Sequence, residues 1–229
     1  MNRALVAGAS LAAAWSLPAL APIAPPVARA LRVPRRLDRG DAVAITFDDG
    51  PHPEGTPAAL EALAAANARA TFFMVGEQVE RDPSLAAAVA AAGHGVAIHG
   101  YRHRNQLRLA PADQNDDLLR AEDSIAGATG SWPQLYRPAY GIFSWTGLAL
   151  VRARGWTPLL WSRWGRDWAA RATPESIAAL VTRGLTGGDV LLLHDADTYS
   201  VDGSHRRTAA ALPRVLEEIE RAGLETVAL

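Results

Sequence analysis

The chain has 229 residues, of which 49% are hydrophobic and 21% charged, so it is long and apolar enough to bury a large core. All 23 basic residues are arginine, and 24 acidic residues bring the net charge to −1, which gives no electrostatic reason to expect a nucleic-acid partner. Lysine and cysteine do not occur, which excludes Schiff-base and thiol chemistry and leaves His, Asp and Glu as metal ligands.

The first thirty residues have the composition of a secretory signal peptide. They contain no acid, and after a basic start their apolar run is interrupted by prolines before the ~20 residues that a membrane-spanning helix needs. We therefore predict an exported, extracellular or cell-envelope protein with no stable membrane span, cleaved after Ala21 or Ala30. A disordered tail and an uncleaved anchor are the alternatives. The predicted regions are a leader at 1–30, a connector at 31–40 and one folded domain at 41–229.

Beyond residue 41, short apolar strands alternate with alanine-rich helices. The predicted strands are 42–47, 70–75, 95–98, 134–137, 157–161, 189–194 and 224–228. The predicted helices between them are 57–67, 84–92, 112–127, 145–153, 174–183 and 206–222. About seven such units predict an α/β fold with a parallel sheet, either a barrel or a doubly wound sheet. In both folds the residues that end the strands meet at one edge of the sheet.

Two strand ends carry candidate metal ligands. The first strand runs into Asp48 and Asp49, and adjacent carboxylates favour a bound cation, although Asp-Asp-Gly-Pro is also typical of a surface turn. The third strand leads to His99 and His103, whose spacing lets both imidazoles reach one metal, although chance alone also produces such pairs. Together with Asp49 they would form a two-histidine, one-carboxylate site that suits Zn²⁺ and also Fe²⁺.

Three later strand ends carry candidates for catalysis or substrate binding. Arg137 follows the fourth strand, where its guanidinium either orients a carboxylate or lies on the surface. Tryptophans cluster at 161–168, where they serve either sugar stacking or core packing. His194 ends the buried strand at 189–194 and is the obvious general acid, although a histidine there can also be a rim residue.

Taken together, these residues resemble the polysaccharide deacetylases, which are carbohydrate esterase family 4. The resemblance covers residues 41–229, and the sequence motifs of the family occur in order. They are Thr46-Phe47-Asp48-Asp49-Gly50-Pro51, His99-x-x-x-His103, Arg137-Pro138-Ala139-Tyr140-Gly141, Asp167-Trp168 and Leu192-Leu193-His194.

The resemblance implies a single-domain, distorted (β/α)₇ barrel with its active site at the carboxyl ends of the strands. It also implies metal-dependent removal of acetyl groups from an acetylated glycan, usually N-acetyl groups of a hexosamine polymer such as peptidoglycan or a chitin-like glycan. The implied ligands are Asp49, His99 and His103, and the implied cofactor is Zn²⁺, with Co²⁺ or another divalent metal as alternatives.

The resemblance also implies roles for the remaining motif residues. Asp48 would be the catalytic base, held by Arg137, and His194 the catalytic acid, supported by Asp167. The implied substrate contacts are the backbone N–H of Tyr140, which would face the oxyanion, and the side chains of Trp168 and Leu192.

Two other functions remain open on the sequence. An O-acetyl esterase acting on a polysaccharide would use the same residues with a different pocket. A non-catalytic glycan-binding barrel would keep the fold without turnover, and the intact set of acid, base and ligands speaks against it.

Overall fold

A parallel sheet forms the centre of the computed structural model, which describes residues 16–229. Within these residues the sheet has 8 strands in the order β5-β4-β3-β2-β1-β7-β6, and β8 pairs with the start of β1. The strands are β1 (Ala42–Asp48), β2 (Ala70–Met74), β3 (Gly95–Ile98), β4 (Leu135–Tyr136), β5 (Thr157–Pro158), β6 (Arg163–Trp164), β7 (Val190–His194) and β8 (Glu225–Thr226).

Helices cover the outside of the sheet. They are α1 (Pro25–Ala30), α2 (Gly55–Ala65), α3 (Gly76–Arg81), α4 (Pro83–Ala91), α5 (Pro111–Thr129), α6 (Trp145–Ala153), α7 (Pro174–Thr182) and α8 (Ser204–Arg221). Short 3₁₀ turns lie at Leu17–Leu20, Gln106–Arg108 and Ala139–Gly141. Local sequence sets several helix starts: Asp82 accepts a hydrogen bond from the Leu85 N–H, and Thr173 forms a capping box with Ser176.

The central strands are buried on both faces, as expected for a parallel sheet covered by helices. Every residue of β1 is buried, and the Phe47 and Phe72 rings of β1 and β2 stack with centroids 4.9 Å apart. On the outside, α8 buries Leu212, Val215 and Ile219, which share one face of the helix. The carboxyl ends of β1 and β7 are in register, with Asp48 opposite His194.

The barrel has one seam, where strands β5 and β6 do not pair with each other. Strands β5 and β6 follow each other in the chain but lie at opposite ends of the strand order, and residues 159–162 connect them. The predicted connector lies along this seam, because Leu160 N–H donates to the Pro34 carbonyl and Arg35 Nε donates to the Trp161 carbonyl, both at 2.9 Å. The curled sheet with one irregular seam confirms the predicted distorted barrel.

The predicted elements differ from the observed ones mainly at this seam. The predicted strand at 157–161 is wrong beyond residue 158, because the chain leaves β5 there to cross to the other edge. Strand β6 was not predicted, since it has only two residues and lies among the clustered tryptophans. Helix α3 was not predicted either, since its six residues follow β2 directly. The other predicted strands and helices occur, with ends displaced by a few residues.

The predicted leader lies partly outside the described residues, which begin at residue 16. From there on the chain packs on the domain: Ala21 and Ala28 are buried in the same apolar core as the sheet, and Leu31 and Val33 join them. Cleavage after Ala21 or Ala30 stays a prediction. Over residues 16–229, no helix has both the length and the apolar character needed to cross a membrane.

Candidate active site

A cavity of about 300 Å³ opens at the carboxyl ends of the strands. It is lined by most of the predicted site residues: Asp48, Asp49, His99, His103, Tyr140, Trp168, Leu192 and His194. The other two, Arg137 and Asp167, are 0% exposed and contact the lining residues from behind. The structure therefore brings together every residue that the sequence predicts for the site.

The first group in the cavity is Asp49 with His99 and His103. Asp49 Oδ1 lies 3.5 Å from His99 Nε2 and 3.3 Å from His103 Nε2. Within residues 16–229 this buried oxygen has no hydrogen-bond partner. Tetrahedral metal sites with bonds of about 2.1 Å separate their ligand atoms by roughly 3.4 Å, so these distances fit a divalent metal.

The protonation of these residues also suits a metal. His99 Nδ1 donates to the Arg137 carbonyl oxygen at 2.8 Å, which leaves Nε2 free to coordinate. Burial lowers the pKa of His103 to about 4, so its imidazole is neutral at pH 7. Burial opposes ionisation of Asp49, but the contact with His99 and the charge of His194 lower its pKa to about 2.

Two residues that line the cavity have unusual backbone conformations. Asp49 has φ +81°, in the left-handed region that residues other than glycine rarely adopt. Tyr140 has φ +60° and is also part of the cavity wall. Residues held in such conformations cluster at functional sites, because the surrounding structure must support their cost.

His103 is held between two tyrosines. The Tyr199 ring stacks on it with centroids 4.4 Å apart and planes at 13°, and the Tyr140 ring meets it edge-on, also at 4.4 Å. The Tyr199 hydroxyl donates to Glu77 and accepts from Gln78, both in α3 and both at 2.9 Å. Sequence reasoning missed Tyr199, because it lies in the loop after β7 and belongs to no recognised motif.

Asp48 is held by a buried arginine. Arg137 Nη1 donates to Asp48 Oδ1 at 2.6 Å and to Thr46 Oγ1 at 2.9 Å. The other guanidinium nitrogens donate to the carbonyl oxygens of Leu159 and Leu160. Burial lowers the pKa of Arg137, and the Asp48 carboxylate counteracts this shift. The guanidinium is therefore fixed on all sides, and Asp48 with it.

His194 is held by a buried carboxylate. Its Nδ1 lies 2.9 Å from Asp167 Oδ1, and its backbone N–H donates to Asp167 Oδ2 at 2.7 Å. Thr208, from α8, donates to the same Oδ2 at 2.9 Å. Burial alone would lower the pKa of His194, but the charge and hydrogen bond of Asp167 raise it far above its usual value.

Comparison with known proteins identifies the family of this chain. A family model described as polysaccharide deacetylase matches residues 36–159. The chain belongs to the polysaccharide deacetylase family. It is 34% identical over 191 residues to a chitooligosaccharide deacetylase of Bradyrhizobium sp., covering 80% of this chain and 87% of the relative.

Two further comparisons support the same family assignment. The chain is 34% identical over 192 residues to a peptidoglycan-N-acetylglucosamine deacetylase of Bacillus cereus, covering 81% of this chain and 84% of the relative. The solved structure of a family 4 carbohydrate esterase from Streptomyces lividans in complex with acetate has a TM-score of 0.73 at 34% identity, covering 81% of this chain and 91% of the other. The predicted enzyme class, a polysaccharide deacetylase, is confirmed.

The cavity of this deacetylase has an aromatic wall. Tyr140 is 57% exposed and Trp168 is 37% exposed, and the Trp168 ring meets the His194 ring edge-on. Trp161 also lines the cavity, next to Gly141. Gly141 has φ +70°, and a Cβ added there would lie 2.6 Å from the Trp161 ring, so only glycine fits without displacement.

Proposed function

We propose that this deacetylase hydrolyses N-acetyl groups of a hexosamine-containing glycan, with Asp48 as base and His194 as acid in a metal-dependent reaction. The observation that carries the proposal is the composition of the cavity. A carboxylate fixed by Arg137 and an imidazole fixed by Asp167 line it together with a group of three metal-type ligands. This is the set of groups that amide hydrolysis by a water molecule requires.

Asp49, His99 and His103 fit a divalent cation, as the unpartnered Asp49 oxygen and the free Nε2 atoms indicate. When bound, Zn²⁺ or a similar ion supplies a Lewis acid that polarises a carbonyl oxygen and lowers the pKa of water. The donor set of two imidazoles and one carboxylate suits Zn²⁺ and Co²⁺ alike.

Asp48 accepts the proton of the attacking water. Its Oδ1 is occupied by Arg137, so Oδ2 is the oxygen free to take the proton. The buried guanidinium keeps the carboxylate in one position, which a base must hold when the water attacks the acetyl carbon.

His194 donates a proton to the leaving nitrogen. Because Asp167 holds Nδ1, Nε2 is the atom that gives up the proton, and the raised pKa of His194 keeps the imidazolium populated at pH 7. The C–N bond of the acetamide then breaks, releasing acetate and the free amine of the sugar. An amide cannot expel its nitrogen readily at neutral pH without such an acid.

The cavity wall would position the acetyl group. We assign Leu192 and Trp168 to the acetyl methyl and the backbone N–H of Tyr140 to the oxyanion of the tetrahedral intermediate. The names of the similar proteins, a chitooligosaccharide deacetylase and a peptidoglycan deacetylase, support an N-acetylhexosamine substrate. Peptidoglycan lies in the cell envelope, and together with the leader-like composition of residues 1–30 this supports our further proposal that the protein is exported.

Acetate release tests the proposal. The enzyme is offered chitin oligomers, peptidoglycan and acetyl xylan, before and after treatment with a chelator, with metal analysis of the same sample. We expect release from an N-acetylated glycan, loss of release with the chelator and recovery with Zn²⁺ or Co²⁺. Release from acetyl xylan alone would favour the O-acetyl esterase, and no release from any substrate would favour the binding barrel. Full activity in metal-free protein would overturn the mechanism.

A further inference from the structure

A buried carboxylate outside the cavity lies against the turn that carries Asp49. Asp195 follows the last residue of β7 and is 2% exposed, yet it does not line the cavity. Its Oδ2 accepts a hydrogen bond from Thr56 Oγ1, whereas its Oδ1 has no hydrogen-bond partner within residues 16–229. Burying a carboxylate with so few partners costs free energy, so this residue points to a role that offsets the cost.

The turn after β1 packs directly on Asp195. A Cβ added to Gly50 would overlap the Asp195 carboxylate, and a Cβ added to Gly55 would overlap the Asp195 carbonyl oxygen. Only glycine therefore fits at these two positions without displacing Asp195. Because Gly50 follows Asp49 directly, the Asp195 carboxylate supports the chain at the residue next to a predicted metal ligand.

Thr56 joins Asp195 to the other end of the same turn. Its side chain is 0% exposed, and its hydroxyl accepts from the His52 N–H at 2.7 Å while it donates to Asp195 Oδ2. The Val75 N–H adds a hydrogen bond to the Gly50 carbonyl oxygen at 2.9 Å. The turn is thus held at both ends, at Gly50 by packing on Asp195 and at His52 through the Thr56 hydroxyl.

The backbone of Asp49 depends on such support. Its φ of +81° is a conformation that a residue other than glycine keeps only where the surrounding structure fixes it. In this conformation Asp49 Oδ1 lies 3.5 Å from His99 Nε2 and 3.3 Å from His103 Nε2. If the turn relaxed, the carboxylate would move away from the two imidazoles.

We propose that Asp195 and Thr56 are a positioning pair, which fixes the turn of the ligand Asp49 against the strand end of the acid His194. Because Asp195 follows His194 directly, the pair also sets the spacing between the ligand group and the acid. Neither Asp195 nor Thr56 lines the cavity, so both act through Asp49 and not by contact with the substrate. The positioning pair rests on the proposed function, since it serves the same metal site.

Substitutions at Thr56 and Asp195 test the pair with little change in shape. Thr56→Val removes the hydroxyl, and Thr56→Ser keeps it. Asp195→Asn keeps an oxygen that can accept from Thr56, whereas Asp195→Ala removes it. Burial raises the pKa of Asp195 to about 7, so an uncharged amide should be tolerated at this position.

Ser162→Ala is the matched control. The Ser162 hydroxyl accepts from the Val190 N–H at 3.1 Å and donates to the buried Asp189 at 2.7 Å, which is the same arrangement as that of Thr56. It lies at the amino end of β7, whereas Asp195 lies at the carboxyl end, next to the cavity. The control therefore removes a similar pair of hydrogen bonds away from the ligand group.

The readouts are Zn²⁺ affinity, measured by competition with a chelator, and kcat and KM at saturating Zn²⁺. We expect Thr56→Val to weaken Zn²⁺ binding about 10-fold, as is usual for residues that orient a ligand, and to lower kcat without raising KM. Thr56→Ser and Asp195→Asn should retain most of the affinity, because they keep the hydrogen bond to the turn. Ser162→Ala should bind Zn²⁺ like the wild type, although its thermal stability should fall about as much as that of Thr56→Val.

Wild-type Zn²⁺ affinity in Thr56→Val would overturn the inference, and so would an equal loss of affinity in Ser162→Ala. An equal loss in Asp195→Asn and Asp195→Ala would also overturn it, because the effect would then follow the charge of Asp195 and not the hydrogen bond. These two variants make the same comparison if Thr56→Val does not fold. A wild-type protein that binds no Zn²⁺ and releases no acetate would contradict the proposed function as well. A wild type that binds Zn²⁺ no more tightly than Thr56→Val would contradict the positioning pair alone.

Discussion

On each side of the catalytic cavity, a buried charged residue holds a cavity-lining side chain in place, and the two buried residues have opposite charges. On one side a buried guanidinium, Arg137, fixes the carboxylate of Asp48, with a 2.6 Å hydrogen bond. On the other side a buried carboxylate, Asp167, fixes the imidazole of His194 at 2.9 Å. Each inner residue is 0% exposed and makes further hydrogen bonds, whereas each outer residue lines the cavity.

The difference in charge supports the roles that we propose. A cation behind a carboxylate stabilises the ionised form that can accept a proton, and an anion behind an imidazole stabilises the protonated form that can donate one. The Arg137 side is also linked to the metal-type ligands, because the Arg137 carbonyl accepts from His99. Within residues 16–229, no hydrogen bond links His194 or Asp167 to the ligand group, and His194 acts on Asp49 only through its charge. The backbone of Arg137 therefore also positions one of the metal-type ligands.

The largest effect is expected for Asp49→Asn. A neutral amide is a poorer ligand than a carboxylate, so metal and activity should be lost together, with activity falling roughly 10³-fold or more. Metal per chain and acetate released per second measure both effects, and circular dichroism checks that the fold is kept. A variant that keeps its metal and full activity would show that Asp49 is only a turn residue.

Asp48→Asn should separate metal binding from catalytic activity. We expect the variant to keep its metal and its fold, but to lose on the order of 10²–10⁴ in turnover, the usual contribution of a positioned base. The same pair of measurements applies. If Asp48→Asn arrives without metal while Asp49→Asn retains it, the roles of the two aspartates are reversed.

His194→Ala should leave metal content normal and lower amide turnover by at least roughly 10²-fold. An activated acetyl ester has a leaving group that needs no proton, so its turnover should fall much less. Parallel assays on both substrates measure the ratio. Equal losses on amide and ester would mean that His194 does not protonate the leaving group.

Asp167→Asn should shift the pH dependence. Asp167 raises the pKa of His194, so its loss lowers that pKa, and the imidazolium is lost at a lower pH. The alkaline limb of the kcat/KM profile should therefore move to lower pH, while the acidic limb stays in place. The pH profile of both enzymes on an N-acetylated oligomer measures the shift, and an unchanged alkaline limb would contradict the role of Asp167.

The main site residues could be predicted because they end strands of a parallel sheet. That position brings Asp48, His99 and His194 to one edge whatever the details of the helices, and short motifs mark each of them. The fold class followed from the alternation of apolar strands and helices. Strand β6 was missed because its two residues lie inside the tryptophan cluster, and helix α3 because its six residues carry too little periodicity to be recognised.

Contacts made through the backbone and through loops could not be predicted. The hydrogen bond from His99 ends on the carbonyl oxygen of Arg137, and a carbonyl has no signature in the sequence. The packing of Pro34 and Arg35 along the seam depends on the crossing from β5 to β6, which was not foreseen. The role of Tyr199 depends on the fold of a loop that brings its ring onto His103.

The smallest expected effect is that of substitutions at Tyr199. Its ring covers one face of His103, and its hydroxyl is tied to Glu77 and Gln78, so it limits the orientations that the imidazole can adopt. Tyr199→Ala should weaken Zn²⁺ binding by about 10-fold, as is usual for residues that orient a ligand, and Tyr199→Phe should recover most of the affinity because it keeps the stacked ring. Competition with a chelator of known affinity measures both variants. Because this readout does not depend on turnover, it separates the positioning of His103 from a contact with the substrate. An alanine variant that binds Zn²⁺ like the wild type but has a raised KM would assign Tyr199 to the substrate instead.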